Sequence, residues 1–168
     1  MKKIFSIICL LVMIFVPSIS FANIINKLNE TGKFTKLNET LTKSGLNKNL
    51  EGDGPFTVFA PTNDAFNNLP DGTLSTLLQP ENQETLQSIL TYHVVSGQFM
   101  AEDVVQAIND NGGQFTVETL QGGELTLKLW EGNVYVKDTS GNKAQIIITD
   151  VETSNGVIHA INNVVLPE

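Results

Sequence analysis

FTVFAPTNDAFNNL, running from Phe56 to Leu69, is the stretch that decides how this chain must be read. Phe56, Val58 and Ala60 alternate with Thr57 and Phe59, a period of two that predicts a strand. Both sides of that alternation carry apolar residues, so the strand is expected to be buried on both faces. Pro61 ends it. Thr62 then stands as an N-cap, with Asp64 in the first helical turn facing the positive end of the dipole. A doubly buried strand this early in the chain needs partners from elsewhere.

Those partners lie downstream. From Gly113 the period is two: Phe115 to Leu120, Leu125 to Trp130, Val134 to Lys137, Ala144 to Val151 and Val157 to Val165 read as strands. Paired glycines and the Gly132-Asn133 and Asn155-Gly156 steps supply the turns. Upstream the pattern is helical. Asn23 to Leu50 reads as helix broken at Gly32 and near Gly45, with Ile24, Ile25 and Leu28 on one face and Phe34, Leu37 and Leu41 on another. Pro80 opens a further helix on which Leu86, Ile89, Leu90, His93 and Val94 share a stripe, ended by Ser96-Gly97; Ala101 to Ile108 is one more. Helices followed by strands, tied together by the Phe56 strand, predict one α+β domain over residues 23–168.

Two further stretches hold both histidines of the chain: TYHVV (Thr91 to Val95) and NGVIHAINNVVLP (Asn155 to Pro167). His159 shares a strand face with Val157 and Ile161, so it reads as a neutral, hydrogen-bonded core residue. His93 has two readings, as a core residue on its helical stripe or as a contact. Tyr92, at the border of the stripe, is the better placed of the pair to be reached.

In spelling, order and spacing the three stretches resemble the two boxes and intervening Tyr-His motif of the fasciclin-type adhesion domain. The resemblance covers essentially all of residues 23–168. It implies a fasciclin-like fold, with N-terminal helices packed on a twisted wedge or sandwich of about seven strands. It implies that Thr62 and Asp64 hold the strand-to-helix junction by side-chain-to-backbone bonds, and that His159 is structural. It links Tyr92 and His93 to partner contact, since the equivalent pair has been tied to receptor binding in animal members. Asn162 stands where the family commonly has an acid. One domain is found where many members have several in tandem, so the resemblance is to a single-domain bacterial secreted or periplasmic member.

The first 22 residues read as an export leader: Lys2 and Lys3, an apolar run from Ile4 to Val16, and Ser20-Phe21-Ala22 as a small-x-small cleavage site. A membrane anchor is the alternative, but the run is shorter than the roughly 20 residues a span needs. Cys9, the only cysteine, lies inside it, so no disulfide or thiol nucleophile is expected in residues 23–168. The chain carries a net charge of -8 and all ten of its basic residues are lysine. An acidic chain without arginine is a poor match for a nucleic-acid backbone, and none is expected as a partner.

No pattern for a serine triad, a metal site, a phosphate loop or a calcium loop is present, so no catalytic residue, metal or cofactor is expected. The expected function is a non-enzymatic, monomeric interaction module outside the cytoplasm, periplasmic or secreted, that binds a cell-surface or matrix protein or polysaccharide. The alternatives are a carrier of a small apolar ligand held between helices and sheet, and an uncharacterised hydrolase.

Overall fold

Three short helices begin the fold because the apolar stripe is interrupted where the sequence predicts. In the computed structural model, which describes residues 22–167, they are α1 (Ile24–Glu30), α2 (Thr35–Ser44) and α3 (Asn47–Leu50). The expected leader lies outside the described residues apart from Ala22. Asn23 caps α1 by accepting from the Asn26 N–H at 2.9 Å. Gly45 ends α2 in the left-handed conformation, its N–H returning to the carbonyls of Leu41 and Thr42.

The remaining elements are β1 (Phe56–Pro61), α4 (Asn63–Asn67), α5 (Thr73–Leu77), α6 (Gln83–Tyr92), β2 (Val94–Ser96) and α7 (Ala101–Asp110), then β3 (Gln114–Glu118), β4 (Glu124–Trp130), β5 (Asn133–Lys137), β6 (Lys143–Thr153) and β7 (Gly156–Ile161). A 3₁₀ turn at Pro80–Asn82 leads into α6. The α+β class stands: helices pack on a seven-stranded sheet of order β2-β1-β7-β6-β5-β4-β3. Only β1 and β7 run parallel, in register from Phe56↔Gly156 to Pro61↔Ile161.

Two elements depart from the periodicity: the last strand ends at Ile161 rather than at the expected Val165, and α6 ends early. The helical stripe was expected to run through Val94 to Ser96. Instead α6 stops at Tyr92, His93 is its C-cap, and Val94–Ser96 pairs antiparallel with Phe56–Val58. Two adjacent β-branched residues fit a pleated edge better than a last helical turn, and the buried β1 backbone needs a partner on that side.

The long strand β6 turns the sheet into a wedge. Its start pairs with β5 through Lys143 to Gln145, its end pairs with β7, and register shifts at Ile146/Ile148 and Ile148/Val151 bend it between. Asp150 in the second irregularity has φ 56°. The far edges then meet, through a Val95↔Thr119 bridge and a Leu120 N–H donated to the Val94 carbonyl at 2.8 Å. One apolar core lies between the helices and the outer face of β1 and β7, through Val58, Ala60, Ile158 and Ala160. A second fills the wedge, through Phe59, Tyr92, Val95, Val117, Leu125, Leu127, Val136 and Ile161, closed by Val104 and Ile108 of α7.

The β1–β7 ladder starts at a crossing with no room for side chains. A Cβ on Gly156 would lie 2.0 Å from the Phe56 carbonyl oxygen, and one on Gly54 would lie 1.9 Å from that of Asn155. The Asn155 side chain fastens the crossing. Its Nδ2 donates to the carbonyls of Leu50 (2.7 Å) and Gly52 (3.0 Å), and its Oδ1 accepts from the Ile24 N–H at 3.0 Å. Ser154 and Asn155 are therefore the hairpin turn, and Gly156, expected in the turn, is the first ladder residue. Gly156→Ala should cost about 3 kcal/mol or more, because the added methyl meets backbone that cannot swing away. Gly132→Ala, where φ is 79° but nothing lies within 4 Å, should cost only about 1–2 kcal/mol. Urea unfolding of both variants checks the order.

Candidate functional site

At the β1–α4 junction, Thr62 Oγ1 accepts from the Ala65 N–H at 3.3 Å. The second bond expected of Asp64 is made by its neighbour. Asn63 Oδ1 accepts from the Lys36 N–H and its Nδ2 donates to the Gly32 carbonyl, each at 3.0 Å, tying α4 to the α1–α2 loop. The Asp64 side chain is exposed and makes no hydrogen bond among the described residues. Its expected role as a backbone clasp is corrected accordingly: in the first turn the carboxylate points to water.

His93 is buried at the end of α6. Its Nε2 accepts from the Val165 N–H at 3.3 Å, which leaves the proton on Nδ1, donated to the Ile89 carbonyl at 2.8 Å. Its own carbonyl accepts from the Phe59 N–H at 2.9 Å. One residue thus joins α6, β1 and the C-terminal segment.

His159 is buried on β7 and stacks on Phe59, ring centroids 5.9 Å apart. Here the tautomer is the opposite one. Nδ1 accepts from the Asp150 N–H at 3.3 Å and Nε2–H donates to the Phe99 carbonyl at 2.8 Å. The ring therefore satisfies the backbone N–H left over at the β6 bulge. Asp150 continues the link, its Oδ1 accepting from the Ala101 N–H at 2.8 Å at the start of α7. On the other side Thr57 Oγ1 donates to the Gly97 carbonyl and accepts from the Phe99 N–H, holding the same loop.

Tyr92 is corrected outright. It was expected at an accessible helix border, but its exposure is 0% and it is the largest fully buried side chain among the described residues. Its hydroxyl donates to the Glu124 carbonyl at 2.6 Å, and its ring closes on Gly123, where an added Cβ would lie 2.9 Å away. Because the chain leaves the helix at His93, the border position turns inward, into the wedge. Neither Tyr92 nor His93 presents a surface to a partner in this fold.

This architecture is held in common with other proteins. The Fasciclin domain model matches residues 32–167. The chain belongs to the fasciclin-domain family. It is 48% identical to Protein sll1483 of Synechocystis sp. over 139 residues, 83% of this chain and 69% of that protein. It is 40% identical to Uncharacterized protein sll1735 of the same organism over 144 residues, 86% of this chain and 97% of the relative. A solved FAS1 domain pair from the insect cell adhesion molecule Fasciclin I superposes with a TM-score of 0.76, over 89% of this chain and 52% of that one, at 20% identity. That likeness is one of fold. Among the described residues no helix is long and apolar enough to cross a membrane.

In this fasciclin domain each histidine spends both ring nitrogens on backbone groups, so neither has a free nitrogen to act as a base or bind a metal. Burial lowers the pKa of His93 from 6.5 to about 4, against the opposing effect of its bond to Ile89. Burial lowers that of His159 too, opposed by the Phe99 carbonyl and by the Asp150 charge. Residues that sequence reasoning passed over include Asn63, Asp150 and Asp138. Buried Asp138 accepts from the Asn142 and Leu166 N–H groups. Only the Asx-turn chemistry of Asp138 ahead of Ser140-Gly141-Asn142 gave a usable signal.

The lowered pKa fixes the sign of a pH effect. Below pH 6.5 the unfolded chain protonates His93, whereas the folded chain refuses the proton until about pH 4. Stability is therefore fully present above 6.5 and should fall by about 3 kcal/mol across that window from His93 alone. Urea unfolding at stepped pH should give His93→Gln a shallower acid decline than the parent. Equal slopes would contradict the assignment.

Proposed function

We propose that this fasciclin domain is an exported, non-enzymatic interaction module that attaches to a cell-surface or matrix macromolecule. The observation that carries the reading is the use of the signature motifs as scaffold. Thr62, Tyr92, His93 and His159 are buried and turned toward backbone. The two histidines are thus committed to holding strands and loops, which speaks against a hydrolase that uses either as its base. The described clefts open to solvent, whereas a carrier of an apolar ligand needs an enclosed apolar pocket. An insect cell adhesion molecule with the same fold supports the adhesion class. Cleavage after Ala22, leaving residues 23–168 outside the cytoplasm as a monomer, belongs to the same proposal.

The test uses the purified protein beginning at Asn23. It should bind intact cells, envelope fragments or immobilised matrix polymers saturably, and leave chromogenic ester, phosphate and glycoside substrates untouched. Adsorption no better than a heat-unfolded control on every surface would overturn the reading. So would turnover abolished by His93→Gln or His159→Gln.

A further inference from the structure

The chain's lysines are unevenly placed. None stands between Lys48 and Lys128, and only Lys128, Lys137 and Lys143 follow. Those three come from β4, β5 and β6, yet all line one cleft of about 270 Å³, together with Leu129, Trp130 and Tyr135. Strand alternation explains the convergence. Lys128 and Trp130 of β4, Tyr135 and Lys137 of β5, and Lys143 of β6 point away from the wedge, while Leu125, Leu127, Val136 and Ala144 point into it.

The cleft has features that folding does not demand. Lys137 and Lys143 are direct cross-strand partners, like charges where an opposite pair would stabilise the sheet. Among the described residues neither they nor Lys128 form an ion pair, although the chain has 18 acidic residues. Trp130, the only tryptophan of the chain, is 58% exposed at the end of β4. Its ring lies 5.7 Å from that of Tyr135, and the Lys143 ammonium stands 6.0 Å from its centroid. An otherwise acidic protein thus gathers three lysines around the exposed Trp130 and the half-buried Tyr135.

We propose that this cleft is the domain's partner site and that it binds an acidic polysaccharide, one whose sugar rings carry carboxylates. The apolar face of a sugar ring lies against Trp130 and Tyr135, and ring carboxylates meet the ammonium groups of Lys128, Lys137 and Lys143. At about 270 Å³ the cleft lies just below the size range for small-molecule sites (roughly 300–1,000 Å³), which suits a short segment of a longer chain. A polynucleotide fits less well. The chain has no arginine to fork a phosphate. The inference rests on the proposed interaction function and gives it a site and a ligand class.

Trp130 makes its own reporter. Titrating the protein with polygalacturonate should change the tryptophan fluorescence saturably, and the affinity should fall as salt rises. Fully methyl-esterified polygalacturonate, with the same rings and no charge, should bind at least tenfold more weakly. Lys143→Gln should weaken binding about fivefold. Trp130→Ala, followed by calorimetry, should abolish binding with an unchanged unfolding midpoint. Tighter binding of oligodeoxythymidylate or of anionic lipid vesicles would overturn the ligand assignment, as would equal binding of the esterified polymer. If Trp130→Ala attaches to cells as well as the parent does, the cleft is not the partner site, although the interaction function stands. If the parent attaches to nothing, that function falls as well.

Discussion

Everything in this fold depends on one long-range pairing, the parallel ladder between β1 and β7. It joins residues a hundred positions apart and is buried on both sides, so its backbone groups and those of the segments around it cannot fall back on water. The fold meets that demand with glycines where carbonyls crowd the crossing and with side chains where backbone would otherwise be left unpaired. Asn155 fastens the open end to α1 and the α3 loop. Phe59, at the middle of the ladder, stacks on His159 and donates its N–H to the His93 carbonyl. The histidines serve as connectors because a neutral imidazole is both a donor and an acceptor on a rigid ring. Each links two backbone groups from different elements, in opposite tautomers.

Much of this was legible in the sequence, for definite reasons. The α+β class followed from a change of period at Gly113, and the β1–α4 junction from Pro61 and Thr62. The inward face of His159 followed from its alternation with Val157 and Ile161. What escaped reading was set by contacts distant in the chain. Helical spacing carried His93 and Val94 along the α6 stripe, but the unmet edge of β1 drew Val94–Ser96 into the sheet. That switch also reversed the reading of Tyr92: a border position on a continuing helix is accessible, whereas the last residue of a helix that turns into a strand faces the wedge. The exchange of roles between Asp64 and Asn63 depends on where the α1–α2 loop passes, which no local pattern reveals.

The same division separates fold from function. Thr62, Tyr92, His93 and His159 of the signature stretches are buried and bonded to backbone, so they specify a scaffold on which the binding surface can lie elsewhere. Trp130 and the three lysines around it lie on the outer face of β4, β5 and β6, and only Lys143 also borders residues of the signature stretches. Their convergence appears only once three strands are set in register. An acidic domain that gathers three lysines without ion pairs around an exposed indole discriminates by local charge against its own overall repulsion. That arrangement favours a partner that carries both negative charge and apolar faces.

The central claim, that the motif histidines are neutral backbone connectors, is most directly tested by nitrogen-15 NMR of the two imidazoles. The account predicts the Nδ1–H tautomer for His93 and the Nε2–H tautomer for His159, with His93 still neutral at pH 6 and His159 titrating below 6.5. Two rings exchanging between tautomers and titrating together near 6.5 would contradict it.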